Sequence, residues 1–390
     1  MKRKLVFVVA IVMVLALLIG CSKTPAANTT SNAGGESATS GGGEAAATAN
    51  DKIKIGIDFF SWTIPLALDM KVMLDSAQET LGCEIVYTEN NFETEKLISN
   101  VENLFASGCQ VVNICNSGDS QVQQAVKIAE QYDGKIFQFY RTLSDQDVID
   151  YVMDSPHYGG QLHEDESLVG YNLGLILAEK GATNVGLINY TRGDLTAELR
   201  QGGYETAFAE KGINVVAETW EITTSESATK TVEDYLAAYP EMDAVVLVGG
   251  GTEAVYGITS TLESKGKRGD VLFTTTDFYD GQTEDLQTGA LSAISGGHWC
   301  DPFFTFMMAY NTAAGAFTNN ELPLEIELDM IYLTSYEDAA EFQKWFYDSL
   351  PYTPDEIKEM SFVHNPDFTL EKFIATAQSL SLQDVQNRHG

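Results

Sequence analysis

Two stretches of this chain hold residues whose types and spacing could do chemistry. The first is Leu247-Val-Gly-Gly-Gly-Thr-Glu-Ala-Val-Tyr-Gly-Ile-Thr-Ser260. It follows the apolar run 243–248 and precedes a second apolar run, 271–276, that ends at Asp277. Strand, glycine-rich turn, helix, strand and acid is the order of a dinucleotide site. There the glycines admit a pyrophosphate and the acid takes the ribose hydroxyls. Gly249-x-Gly251-x-x-Ala254 fits this pattern loosely. In a Rossmann domain, however, the turn opens the first βα unit, whereas here it lies deep in the second half of the chain. The alternative is a loop rimming a cleft, where missing side chains let the backbone approach some other ligand. The second stretch is His163-Glu-Asp-Glu166. It is polar enough to suggest a metal but lacks the His-x-x-x-His spacing that puts two ligands on one helix face. It reads better as a helix start, with acids near the positive end of the dipole. His298 has no nucleophile beside it in sequence and no GxSxG motif to serve. No catalytic residue, cofactor or metal is therefore assigned.

The elements that must position any site alternate regularly. Strand-like runs at 53–57, 83–87, 110–114 and 135–139 are separated by helical stretches, and the rhythm pauses from Arg141 to His163. It restarts with strand-like runs at 184–188, 214–219, 243–248, 271–275 and 291–294, again with helices between. A helix at 303–317, a strand within 325–333 and further helices close the chain. Continuous apolar strands alternating with helices predict parallel sheets covered on both faces. Two such series predict an α/β protein of two doubly wound lobes, split near Arg141. About 340 residues beyond the N-terminal region exceed what one core usually spans, which also predicts two lobes.

In doubly wound sheets, ligands sit beyond the carboxyl ends of the strands. The residues there are Phe59, Phe60 and Trp62 after the first strand, Asn116 after the third, and Tyr140 and Arg141 after the fourth. In the second series they are Gly251 and Thr252, Asp277 and Phe278, and His298 and Trp299; Arg200 lies in the second turn of a helix. Aromatic faces give apolar stacking surface, and Asn, Asp and Arg give directed hydrogen bonds. The combination suits a small polar solute such as a sugar. Taken singly, any one aromatic is more often packing, and Asp58 and Asp119 can equally cap helices.

The ends and the charge bound the setting. Lys2, Arg3 and Lys4 precede an apolar run from Leu5 to Leu18, too short for a comfortable membrane span. Residues 1–20 read as a signal peptide. Residues 21–50 hold Ser, Thr, Ala, Gly and Asn with nothing apolar larger than Ala beyond Cys21, and read as a flexible tether. A formal charge of −33 excludes nucleic acid and broad contact with anionic lipid headgroups. Cys83, Cys109, Cys115 and Cys300 show no metal spacing and read as small buried hydrophobes.

Two resemblances extend this reading. Leu18-Ile-Gly-Cys21 resembles the lipobox of bacterial lipoproteins, which implies cleavage before Cys21 and lipid on that residue. The chain from Asp51 to about Leu333 resembles the type I periplasmic binding proteins, the ribose- and galactose-binding branch that feeds ABC transporters. The resemblance rests on Asp119-Ser-Gln-Val-Gln-Gln-Ala-Val-Lys127, on Arg200-Gln-Gly-Gly-Tyr-Glu-Thr-Ala-Phe208 and on Glu253-Ala-Val-Tyr-Gly257. It implies that Arg141, Arg200 and Asp277 hold a sugar. Tyr140 stands where the family often has Asp, and Gly251 where it often has Asn, so a modified sugar, a nucleoside-like compound or another flat solute stays open. The expected organisation is a first lobe of 51–141 plus about 298–335, a second lobe of 142–280, and a helical extension at 336–390. Hinge crossings are expected near Arg141–Thr142, Phe278–Gln282 and Gly297–Asp301. The implied function is a lipid-anchored, extracytoplasmic solute-binding protein whose partners are an ABC permease and ATPase. A ligand sensor docking to a membrane kinase or chemoreceptor is the alternative; an extracytoplasmic enzyme or a dinucleotide binder ranks below both.

Overall fold

The computed structural model describes residues 52–317 and 321–390. The expected signal peptide, the expected tether and Cys21 lie outside the described residues. Strands and helices alternate from the start: β1 (Lys54–Phe59), α1 (Pro65–Leu81), β2 (Glu84–Glu89), α2 (Thr94–Ala106), β3 (Val111–Ile114), α3 (Asp119–Tyr132), β4 (Lys135–Phe139), α4 (Gln146–Asp154) and β5 (Tyr158–Glu164). The second series is α5 (Glu166–Glu179), β6 (Asn184–Ile188), α6 (Leu195–Lys211), β7 (Asn214–Thr219), α7 (Ser225–Ala238), β8 (Ala244–Leu247), α8 (Thr252–Ser264), β9 (Leu272–Thr276), α9 (Gln282–Thr288) and β10 (Ala293–Gly296). Then come α10 (Asp301–Ala313), β11 (Leu324–Leu328), β12 (Ile331–Leu333), α11 (Tyr336–Phe342), α12 (Pro354–Glu359), α13 (Leu370–Gln378) and α14 (Leu382–His389).

The strands form two six-stranded sheets, ordered β11-β5-β4-β3-β1-β2 and β12-β10-β9-β8-β6-β7. Every pairing is parallel except that of β12 with β10. The central strands are apolar on both faces because helices cover both; β3 and β8 are buried along their whole length. On α2, Leu97, Val101, Leu104 and Phe105 recur at helical spacing and form the buried stripe. This is the two-lobed, doubly wound fold expected from the alternation.

The lobe boundaries differ from expectation. The pause from Arg141 to His163 contains α4 and β5, and β5 pairs with β4 and β11 in the first sheet. Its sequence, Tyr158-Gly-Gly-Gln-Leu-His-Glu164, has too few apolar residues to read as a strand, yet every residue is buried. The first lobe thus runs to Glu164, and the chain crosses at Glu164–Asp165 rather than at Arg141–Thr142. No crossing occurs near Phe278–Gln282, because β9 and β10 are neighbours in one sheet. The passage back, from β10 to α10, falls at Gly297. A further crossing lies at Asp329–Met330: the single strand expected within 325–333 is two, one in each sheet.

The helices after Ser335 are part of the core. Phe342, Phe346, Tyr352, Ile357, Phe373 and Val385 join the same buried cluster as Phe303 and Phe304 of α10. α11 packs on α9 of the second lobe, whereas α12 packs on α1 and α13 on β11 of the first. The extension therefore touches both lobes. Cys83, Cys109, Cys115 and Cys300 are free and buried, and burial pushes the Cys115 thiol up to about 12.

Candidate functional site

The strand order reverses at β1/β3 in the first sheet and at β6/β8 in the second, and the site forms beyond these points. A cavity of about 430 Å³ lies there, lined by Phe59, Phe60, Tyr140, Arg141 and His298 from the first-lobe side and by Arg200, Gly251, Thr252, Asp277 and Phe278 from the second. A second cavity of about 610 Å³ adjoins it and contains Asn116 in its wall. The two share Phe92, Tyr140, Arg141, Glu164, Glu166, Tyr190, Asp194 and Thr196, so they are parts of one cleft.

Two of the expected residues lie elsewhere. Trp62 donates its Nε1–H to the Thr88 carbonyl at 2.7 Å and packs edge-on to Tyr87, 4.7 Å away. Trp299 is 3 % exposed and stacks on Tyr347 of the extension at 5.9 Å. Both are packing residues, drawn out of the cleft by partners distant in sequence.

The first-lobe wall is held by Asp58. It accepts from Thr88 Oγ1 at 2.7 Å, Asn90 Nδ2 at 2.6 Å and Asn100 Nδ2 at 2.7 Å, and caps no helix. Burial, opposed by these bonds, raises its carboxyl above the usual range. The hub fixes the loop after β2, in which Phe92 takes φ 62 and stacks on Phe60 at 4.0 Å. Tyr140 and Asp277 also sit in the left-handed region, at φ 66 and φ 72. Side chains other than Gly, Asn and Asp rarely accept it, and such strain collects at functional sites. Arg141 lies 5.6 Å over the Phe60 ring and donates from Nη1 to Thr196 Oγ1 of the second lobe at 2.5 Å. Asp119 accepts from the backbone N–H groups of Ser144 and Asp145, tying down the segment that follows Arg141.

On the second lobe, α5 and α6 pack very closely. A Cβ on Gly170 would lie 1.9 Å from the Arg200 carbonyl oxygen, and one on Gly203 would lie 2.0 Å from that of Ser167. This approach brings Glu166 to Arg200. The guanidinium donates from Nε at 2.5 Å and from Nη2 at 3.0 Å, a bidentate pair with both partners buried. Burial pushes the Glu166 carboxyl up and Arg200 pulls it down; the net direction is up. Burial works to lower Arg200, but the Glu166 and Asp277 carboxylates hold it above its usual value. His163-Glu-Asp-Glu166 thus divides its work: Asp165 caps α5 by accepting from the Leu168 N–H at 2.9 Å, and Glu166 holds Arg200.

Tyr190 packs against Gly249 and Asp277 against Gly250, while a Cβ on Gly251 would face open space. Gly250 has φ 71, and a Cβ there would fall 2.4 Å from Asp277 Oδ2. The acid that resembled a ribose ligand packs against the turn, placing negative charge where a pyrophosphate would need the opposite. Asp277 Oδ1 lies 3.5 Å from His298 Nε2, and His298 meets Tyr140 edge-on at 5.3 Å. Below them Asp301, wholly buried, is held well above the usual range, first by burial and then by the charge of Glu164.

Phe92, Glu164, Glu166, Asp194 and Thr196 line the cleft without having been singled out from the sequence. Glu164 and Glu166 lay in a noted motif but read as dipole acids. Phe92 gave no signal, because nothing local marks a loop phenylalanine as a stacking partner of Phe60.

The family profile described as periplasmic binding protein domain matches residues 54–299. A ribose import binding protein of Salmonella typhimurium is 23% identical over 258 residues, covering 66% of this chain and 82% of its own. Among solved structures, a periplasmic sugar-binding protein from Pseudomonas fluorescens has a TM-score of 0.69 at 15% identity, covering 85% of this chain and 99% of its own. A solute binding protein of an ABC transporter from Actinobacillus succinogenes 130z, with bound D-allose, has a TM-score of 0.65 at 19% identity, covering 73% and 98%. At these identities the structures speak for the fold alone.

Proposed function

The chain belongs to the type I periplasmic binding protein family, and from that premise we propose that it is the extracytoplasmic solute-binding lipoprotein of an ABC importer. Its cleft closes on a sugar or sugar-like solute and presents it to a membrane permease, with lipid on Cys21 as the anchor. The observation that carries this reading is the makeup of the cleft. Phe59, Phe60, Tyr140 and Phe278 bring aromatic surface to the cavity, while Arg141, Arg200 and Asp277 offer directed hydrogen bonds from both lobes. Arg200 enters oriented by Glu166, with Nη1 free of that pair. A solute that touches both lobes favours the closed form, and closure is what a permease can recognise. The names of the relatives, a ribose import binding protein and an allose-bound transporter component, support the solute class. Lys2-Arg-Lys4, the apolar run and Cys21 support the anchor.

Titration calorimetry on the full-length protein, unfolded and refolded to strip carried solute, tests the reading. Saturable one-to-one binding of a pentose or hexose, lost in Arg141→Ala, is expected. Binding unaffected by Arg141→Ala would remove the site from this cleft. For the anchor, Cys21→Ala is expected to move the protein from the membrane to the soluble fraction; retention in the membrane would contradict lipidation.

A further inference from the structure

The charge balance of the cleft narrows the solute further, and this step rests on the sugar reading above. Glu164 ends β5 at the first crossing, is 3 % exposed, and lines both cavities. Its Oε1 and the Oδ2 of Asp301 are buried and find no N–H or hydroxyl partner. What they have is each other. Burial, and after it the Glu164 charge, push the Asp301 carboxyl well above its usual range, so it is Asp301 that favours the proton where the two carboxyls meet. Glu164 forms no ion pair with a guanidinium among the described residues, though its charge helps to raise Arg200. Arg200 is taken by Glu166 through two hydrogen bonds. Arg141 makes no ion pair among the described residues and spends Nη1 on Thr196. Asp277 of the second lobe adds another carboxylate to the cavity of about 430 Å³, with His298 Nε2 at 3.5 Å.

A charge sealed from water without a partner is costly, so closing the lobes over Glu164 favours a solute that pairs it. An ammonium does so with charge-assisted hydrogen bonds. A carboxylate or phosphate at that seat would instead meet the Glu164 carboxyl. We propose that the solute of this cleft carries a protonated amine, as an amino sugar does, that the amine seats against Glu164, and that acidic sugars are excluded.

The test is titration of the full-length protein, stripped of solute by refolding, at about pH 6, where a sugar amine is protonated. Matched probes are D-glucose, D-glucosamine and D-glucuronate, and D-galactose, D-galactosamine and D-galacturonate. N-acetylglucosamine keeps the substituent and removes the charge. In at least one set the amine is expected to bind about tenfold tighter than the neutral sugar, equivalent to about 1.4 kcal/mol. The uronates should give no binding, and acetylation should erase the advantage. Glu164→Gln should bring the amine and the neutral sugar to similar affinity. Neutral sugars binding as tightly as their amines would overturn this inference and leave the sugar reading standing. An amine preference that survives in a folded Glu164→Gln protein would overturn the seat. The comparison with N-acetylglucosamine needs no variant, so it decides the matter even if the substitution impairs folding. Binding by none of the probes would overturn the sugar reading and this inference together.

Discussion

Removing the guanidinium of Arg200 would leave the Glu166 carboxylate buried without a counter-ion. Arg200→Ala is therefore expected to lower the unfolding free energy by about 3–5 kcal/mol, read from urea denaturation, besides losing solute. Replacing both partners by apolar residues, Arg200→Met with Glu166→Leu, should recover most of that stability without recovering binding. An unchanged midpoint in Arg200→Ala would mean the pair is not formed. From the sequence alone, Arg200→Ala would be a clean binding lesion that spares the fold; the structure makes it a folding lesion too. The partner lies 34 positions away, and the contact depends on two helices approaching where Gly170 and Gly203 lack side chains, which no local pattern announces. Phe92 is the converse case. It is 61 % exposed, so Phe92→Ala should change stability by less than about 0.5 kcal/mol. Because Phe92 lines both cavities, its loss should weaken solute binding measurably. Undiminished affinity by calorimetry would place Phe92 outside the site.

Elements were legible where their burial is symmetrical and hidden where it is not. β3 and β8 announced themselves as apolar runs because helices cover both faces. β5 did not, since its glycines and polar residues are buried by neighbouring strands rather than by their own character. With β5 missing, the hinge was expected a whole helix and strand too early. The extension shows a different dependence. α14 is latched to α12 by Glu356, whose carboxylate meets Arg388 Nη1 at 2.5 Å and His389 Nε2 at 2.9 Å. Burial works to raise the Glu356 carboxyl, but the Thr353 N–H, His389 and Arg388 overcome it and bring it down to about 2. A depressed carboxyl stabilises the fold above its ordinary value of 4.5, and that contribution fades as pH falls towards 2. Acid titration should thus release α14 over this range, followed by the emission of Trp345, whose ring lies 6.2 Å from that of His389. In Glu356→Gln the transition should be absent; the same transition in that variant would assign it to another group.

At the scale of the molecule, the extension meets both lobes, and Asp69 lies where they converge. It stands on α1 of the first lobe, hydrogen-bonded to Tyr347 of the extension and near Asp280 of the second lobe. Burial, opposed by the Tyr347 bond and aided by the Asp280 charge, raises its carboxyl to about 6. A raised carboxyl binds its proton more tightly in the folded protein, so stability from this group is present below the ordinary value of 3.8 and lost as pH rises through about 6. Asp69→Asn should accordingly raise the melting temperature at pH 7, with the gain vanishing below about pH 4. A gain that persists in acid would contradict this assignment.

The central claim is that the cleft takes a small sugar-like solute between its lobes, and thermal melting of the refolded full-length protein against a panel tests it most directly. The panel would hold pentoses, hexoses, amino sugars, nucleosides, amino acids and NAD. A ligand present at a hundredfold its dissociation constant adds about 2.7 kcal/mol, a shift of a few degrees for a protein of this size. The account predicts such a shift with a sugar or sugar-like compound and none with NAD. A shift with NAD and with nothing else would contradict it, and would mean that Gly249-Gly-Gly251 binds a dinucleotide after all.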